Sequence, residues 1–174
     1  MILLLLACAT PPTEKNAVPC EACGGECLTE TTPATTRQHV EGEVAYADYP
    51  PSSGDHDACW AEWGVHTEVV QPENWVHNLD HGGVVCVYTA DLSAADLAAL
   101  TTYVEGLPEG RALLTPASEP MDAVVAAVSW ENRLTLGCYD EAALDGFFWE
   151  HLAQAPEDIT SGPGTCAMDD TAAR

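Results

Sequence analysis

Basic residues are nearly missing from this chain: 5 of its 174 residues are Lys or Arg, against 28 Asp or Glu, giving a formal charge of −23. A chain of that sign is repelled by phosphate backbones, so the composition excludes nucleic acid as a partner and implies a solvated acidic surface. Long apolar runs are missing too. None approaches the about 20 residues that a helix needs to cross a bilayer, so membrane attachment would have to come from a lipid anchor. The sequence contains no HExxH and no glycine-flanked elbow of the kind that exposes a catalytic serine. What remains is globular: 47 % of residues are hydrophobic and 19 % charged, over a length that suits one domain with a tail.

Cysteine, by contrast, is plentiful. Eight cysteines fit an oxidising compartment better than a reducing one. Ile2 to Ala7 is apolar and runs into Cys8, so that Leu5-Leu6-Ala7-Cys8 resembles a bacterial lipobox. The expectation is a signal segment over 1–8 and lipidation at Cys8. The product would be an exported lipoprotein of the bacterial cell envelope, anchored in the outer membrane and facing the periplasm or the cell surface. Ala9, directly after the cysteine, is not an inner-membrane retention signal of the Asp type.

Residues 9–37 are rich in Thr, Pro, Glu and Gly and read as a flexible tether carrying Cys20, Cys23 and Cys27. These three lack a fourth thiol or imidazole for a closed zinc site, and a redox CxxC ordinarily follows a strand, so disulfides are their expected use. Cys86 and Cys138 are candidates for a buried bridge between neighbouring strands. The domain itself is expected over 38–158, with a C-terminal tail at 159–174.

Within the domain, Val44 and Tyr46 alternate with polar neighbours as in a strand, which Pro50-Pro51-Ser52-Ser53-Gly54 ends. Val84 to Tyr88 is a continuous apolar run of strand length, expected at the centre of a sheet. Ser93 can cap a helix whose Leu97, Leu100, Val104 and Leu107 form one stripe, and Asp140 can cap another carrying Leu144, Phe147, Phe148 and Leu152. Between them, Ala112–Thr115, Ala123–Ser129 and Leu134–Tyr139 read as strands, the last two as a hairpin around Glu131-Asn132. The predicted fold class is α+β: a mainly antiparallel sheet with two helices packed on one face, in a single domain after the tether.

Several stretches are similar to one bacterial family. They are Pro50-Pro51-Ser52-Ser53-Gly54-Asp55-His56, Trp63-Gly64-Val65-His66, and Val76-His77-Asn78-Leu79-Asp80-His81-Gly82-Gly83-Val84-Val85. Ser129-Trp130, Arg133-Leu134-Thr135-Leu136 and Tyr139-Asp140 continue the pattern. From roughly His39 to Leu152 the chain resembles the DUF3105 family, a domain whose name carries no activity. Asp80 stands where that family often has Glu, and His66 where it often has Tyr.

Four of the six histidines, His56, His66, His77 and His81, fall in loop-like or glycine-flanked sequence, where a rigid turn can hold an imidazole in place. His77 and His81 are four apart. On a helical turn they would stand about 6 Å apart on one face, close enough to share an ion, whereas on an extended strand they would be roughly 13 Å apart. Cys59 could add a thiolate, and Asp80 could ligate or orient an imidazole from behind. The candidate metal ligands are therefore His56, His77, His81, His66, Cys59 and Asp80. Imidazole with sulfur suits copper or zinc. The competing expectations are imidazoles that merely hydrogen-bond within an ordered loop, a metal-dependent or Ser/His-type periplasmic enzyme using Ser52 or Ser53, and a disulfide-stabilised interaction module without a site. Binding of a transition metal is the expected role. His39 would join only if folding brought it in, His151 is expected in packing, and Trp60, Trp63 and Trp75 either wall a pocket or fill the core.

Overall fold

The computed structural model describes residues 12–157 and 162–166; Cys8 and the rest of the expected signal segment lie outside them. The elements, in chain order, are β1 (Glu14–Cys20), β2 (Gly25–Thr31), β3 (Gly64–Val65), α1 (Pro72–Asp80), β4 (Val84–Tyr88), α2 (Ala94–Glu105), β5 (Ala112–Pro116), β6 (Val125–Ser129), β7 (Asn132–Leu136) and α3 (Glu141–His151). The strands form one sheet in the order β1-β2-β7-β6-β4-β5-β3. The protein is α+β, but the sheet is mixed rather than mainly antiparallel, and among the described residues it carries three helices rather than two.

The physical reason lies in the connections. β4 reaches β5 through α2, and a helical crossover returns the chain parallel to the strand it left, with Val85 opposite Leu113. β3 is also parallel to β5. From β4 across to β1 every pairing is antiparallel, including the tight β6–β7 hairpin that places Ser129 opposite Asn132. In its turn Glu131 takes φ 65°, and its carboxylate accepts from the Ala34 amide at 2.7 Å, tying the N-terminal segment to the turn.

The segment expected as a tether is, over 14–31, part of the sheet. β2 pairs with β7 from Leu28–Thr135 to Thr31–Asn132, and Glu30, buried between the strands, pairs with both Arg133 and Lys15. Val44 and Tyr46, expected in a strand, lie in irregular chain. There the Val44 amide is held by Glu73 and the Tyr46 hydroxyl by the Asp55 carbonyl, so side-chain bonds take the place of a ladder.

The two faces of the sheet have separate cores. α2 and α3 lie on one, where Leu100, Val104, Leu144, Phe147 and Phe148 meet Cys86, Leu114, Val125, Leu134 and Leu136. Both helices start as the sequence predicts: Ser93 accepts from the Asp96 amide, and Asp140 from the Ala143 amide. On the other face, Trp75, Val76 and Leu79 of α1 pack with Val85, Val87, Leu113, Val128 and Trp130. Fully burying a Leu or Phe side chain stabilises by roughly 1.5–3 kcal/mol, so both faces contribute strongly.

Disulfides join Cys20 to Cys27, Cys23 to Cys138 and Cys59 to Cys166. The expected Cys86–Cys138 bridge does not form, because Cys138 follows β7 at the sheet's end, where the β1–β2 turn docks. Cys86 is buried within β4, is the free cysteine among the described residues, and has its thiol pushed up to about 12 by burial.

Candidate metal centre

Residues 76–85 place most of the site. α1 starts at Pro72, whose missing N–H costs nothing in the first helical turn. It ends in a Schellman motif: Gly82 N–H donates to Leu79 O at 2.9 Å, and Gly83 N–H to Asn78 O at 3.0 Å. That ending requires a left-handed residue, and Gly82 supplies it at φ 83°. Gly83 is needed for a different reason. A Cβ there would stand 2.3 Å from the Trp63 ring. Asn78, fully buried, clamps Ala61 by accepting from its N–H and donating to its C=O, both at 3.0 Å.

This helical setting resolves the spacing of His77 and His81. They share one face, and their Nε2 atoms are 3.0 Å apart. His56 arrives from the loop after Gly54, with ring centroids 4.8 Å from His77. His39 is brought in by a parallel bridge to His56, in which His56 N–H donates to Gln38 O and Val40 N–H to His56 O. Its ring lies 4.9 Å from that of His77 and 5.1 Å from that of His56. His39, His56 and His77 each offer a ligand atom within 4.8 Å of the other two, so this group could hold a metal ion. Nitrogens around one tetrahedral zinc stand about 3.3 Å apart, given Zn–N distances near 2.0–2.1 Å. Ligation would therefore require the three rings to draw closer together than the 4.8 Å within which their ligand atoms now lie.

The tautomers favour ligation. His77 Nδ1 lies 2.8 Å from the Asp57 carbonyl and His56 Nδ1 2.9 Å from the Gly54 carbonyl. A carbonyl can only accept, so both Nδ1 atoms carry the proton and both Nε2 atoms present lone pairs. Backbone carbonyls orient metal-binding histidines in this way. His56 Nε2 is buried with no hydrogen-bond partner, as is His81 Nδ1. Because His77 Nε2 is an acceptor, His81 Nε2–H is the donor between those two rings.

Burial lowers the pKa of His56, His77 and His81, since each loses hydration of its charged form, and His77 is lowered to about 4, with the neighbouring imidazoles adding to the effect. All three are neutral at neutral pH, the form that binds metals. Trp60 closes one side, its ring 4.7 Å from His81 and 5.3 Å from His77. The C-terminal segment holds the Trp60 backbone: Thr165 and Cys166 donate their amides to Trp60 O, and Thr165 Oγ1 accepts from the Trp60 backbone N–H.

Of the remaining candidates, Cys59 has no thiolate to offer because it is bridged to Cys166. Asp80 is buried and directed at Arg37, at 3.3 Å, with the other arm of Arg37 on Glu157. Burial outweighs that partner and raises the pKa of its carboxyl. His66 is spent on the Glu62 carbonyl at 2.8 Å, beside the edge strand β3. His151 packs on Phe147 at 4.4 Å. Trp75 is core, fully buried. The residue that spacing undervalued is His39, exposed at the mouth of the cluster, since only the cross-chain bridge to His56 brings it there.

A family model described as Protein of unknown function (DUF3105) matches residues 39–163. No curated protein and no solved structure matches the chain.

Proposed function

The chain belongs to the DUF3105 family, and we propose that it binds one divalent transition-metal ion through His39, His56 and His77, the ion taking the His77 Nε2 lone pair in place of the His81 N–H that it otherwise accepts. The observation that carries this reading is the pair of buried imidazoles whose Nδ1 protons are committed to carbonyls, which leaves their Nε2 atoms as the ligand atoms, in a group with His39 whose ligand atoms lie within 4.8 Å of one another. Three imidazoles and no thiolate favour zinc(II) or copper(II) over copper(I). Three protein ligands also leave one position for water or an exchanging donor. Because His39 is the exposed member, ions enter and leave past it. The negative charge of the whole chain concentrates cations near that mouth.

The setting we propose is the bacterial envelope, with the chain exported, anchored by a lipid on Cys8 and retained at the outer membrane. The three disulfides support an oxidising compartment. Among the described residues no helix is long and apolar enough to cross a membrane. Binding or transfer is favoured over Ser/His hydrolysis because His56 Nε2, the nitrogen that would act as base, has no hydrogen-bond partner, so neither Ser52 nor Ser53 donates to it.

Elemental analysis of the exported chain, followed by calorimetric titration of the stripped protein with zinc(II) and copper(II), tests the reading. One equivalent bound per chain, retained by His151→Ala, is expected. Absence of stoichiometric binding by either ion would overturn it.

A further inference from the structure

The second cluster of chemistry-bearing side chains lies at the opposite end of the sequence pattern and is not absorbed by the metal centre. Cys20 ends β1, Cys23 lies in the turn, and Cys27 sits in β2, so the CxxC spans a hairpin turn instead of a tether. The three sulfurs lie within 4.8 Å of one another, although Cys20 is bonded to Cys27 and Cys23 to Cys138. Two disulfides are thus stacked sulfur against sulfur. They differ in access: Cys20 and Cys27 are 1 % and 5 % exposed, whereas Cys23 and Cys138 are half-buried. The turn is held against the start of α3, where Asp140 accepts from the Ala22 amide at 2.8 Å while capping the helix. Cys23 is therefore fixed beside the interior bridge independently of its own disulfide.

We propose that the β1–β2 turn is a thiol–disulfide exchange site, with Cys23–Cys138 as the entry bridge for an external dithiol and Cys20–Cys27 as an interior store. A carrier thiolate attacks Cys138 Sγ, forming a mixed disulfide, and Cys23 leaves as thiolate. The carrier's second thiol resolves the mixed disulfide, so the carrier becomes a disulfide and its two protons pass to Cys23 and Cys138. The Cys23 thiolate then attacks Cys20 or Cys27. A bond to Cys23 forms, the Cys20–Cys27 bond breaks, and the displaced sulfur takes the proton that Cys23 gave up. Two electrons have entered through the exposed bridge, and one of the two thiols they produce now lies in the interior. Among the described residues no third sulfur groups with Cys59–Cys166, which serves as the internal control.

The test uses the intact oxidised chain and substoichiometric dithiothreitol as the dithiol. Acid quenching, alkylation of free thiols, full reduction, a second label and peptide mass spectrometry follow. Among molecules that have lost one hairpin bridge, a share of about two thirds, for bridges of equal free energy, is expected to carry the first label on Cys138 together with Cys20 or Cys27 and the second on Cys23. Joint first labelling of Cys23 and Cys138 in all such molecules, with Cys20–Cys27 intact, overturns the proposal. So does first labelling of Cys20 and Cys27 with Cys23–Cys138 intact. Cys138→Ser gives a second measure. The one unpaired sulfur of its hairpin should be shared, with about a third of the hairpin's label on each of Cys20, Cys23 and Cys27 if the three bridges are of equal free energy. Label confined to Cys23 again overturns the proposal.

Discussion

On one face of the sheet, Leu100, Val104, Leu144, Phe147 and Phe148 project from two capped helices into a continuous apolar cluster. On the other, α1 and the loops before it bury His56, Asn74, His77, Asn78, Asp80 and His81 beside Trp75 and Leu79. The first face is held by area removed from water, which is insensitive to orientation. The second depends on directed bonds: Asn78 to Ala61, His77 to Asp57, His56 to Gly54, and the Cys59–Cys166 bridge behind Trp60. Buried polar groups cost free energy unless they are satisfied. A face that keeps several of them, and leaves His56 Nε2 without a partner, gives up some stability, which the proposed ligand would account for. Stability and binding should therefore separate along the two sides of the sheet.

The largest effect that could break this comparison comes from the helical face. Phe148→Ala removes a fully buried ring and should cost about 3–5 kcal/mol of unfolding free energy. Metal stoichiometry in the surviving folded fraction should be unchanged. Urea denaturation and calorimetry on the same preparation measure both. A Phe148→Ala chain that remained folded but lost its metal would show that the faces are not separate.

Next in size is His77→Ala, which removes the ring in contact with the other three histidines of the cluster. Affinity for zinc(II) or copper(II) should fall at least about a hundredfold, equivalent to about 3 kcal/mol. His66→Ala, at a ring bonded to Glu62 outside the cluster, should leave affinity unchanged. Equal losses in the two variants would point to general electrostatic attraction of cations by an acidic protein.

The contrast between the faces also explains what was legible in the sequence. α2 and α3 announce themselves because each has a cap, an apolar stripe and an exposed polar side, and β4 because its run is apolar throughout. α1 does not, since eight of its nine residues are buried. It is also only nine residues long, Gln71 gives it no side-chain cap, and its polar residues Asn74, His77, Asn78 and Asp80 are buried along with the apolar ones, so neither a cap nor an exposed polar face marks it. The β1–β2 hairpin is hidden for the opposite reason. Most of β1 is exposed, so it resembles a linker, and what holds it comes from distant residues: the Cys23–Cys138 disulfide, the Ala22–Asp140 bond and the pairing of β2 with β7. Of the site, His56, His77 and His81 could be picked out from glycine-flanked sequence and four-residue spacing. His39 could not, because a parallel bridge between distant segments leaves no local signal.

A smaller effect tests the disulfide's role on the loop face. Cys59→Ser/Cys166→Ser releases the segment that holds Trp60 over His77 and His81. Metal affinity should drop about tenfold, in the range seen when groups supporting a metal's ligands are removed, and intrinsic Trp fluorescence should lose its response to metal. Unchanged affinity would mean that Trp60 is only a cover.

The smallest expected effect is the pH dependence of the stripped protein. His56, His77 and His81 on the loop face, and His151 on α3, all have pKa values lowered from 6.5 by burial, His77 to about 4. In the unfolded chain each titrates near 6.5, so below that pH the unfolded state takes up protons that the native state refuses. Stability must then fall as pH drops through about 6.5, and for His77 the loss continues until about 4. A full one-proton difference amounts to about 1.4 kcal/mol per pH unit. Asp80 acts in the opposite sense: its raised pKa means that the native state accepts that proton first, which favours folding as the solution becomes acidic. Partial neutralisation of the −23 charge also opposes the loss. The clean window is therefore pH 6.5 to 5.0, above most carboxylate titration. Urea denaturation across it, with chelator present, should give a slope that is positive with pH in wild type and shallower in His77→Gln by up to one proton's share. A wild-type slope of zero or of the opposite sign would mean that these imidazoles are hydrated in the native chain, and the dry, lone-pair-bearing cluster that distinguishes the loop face would not exist.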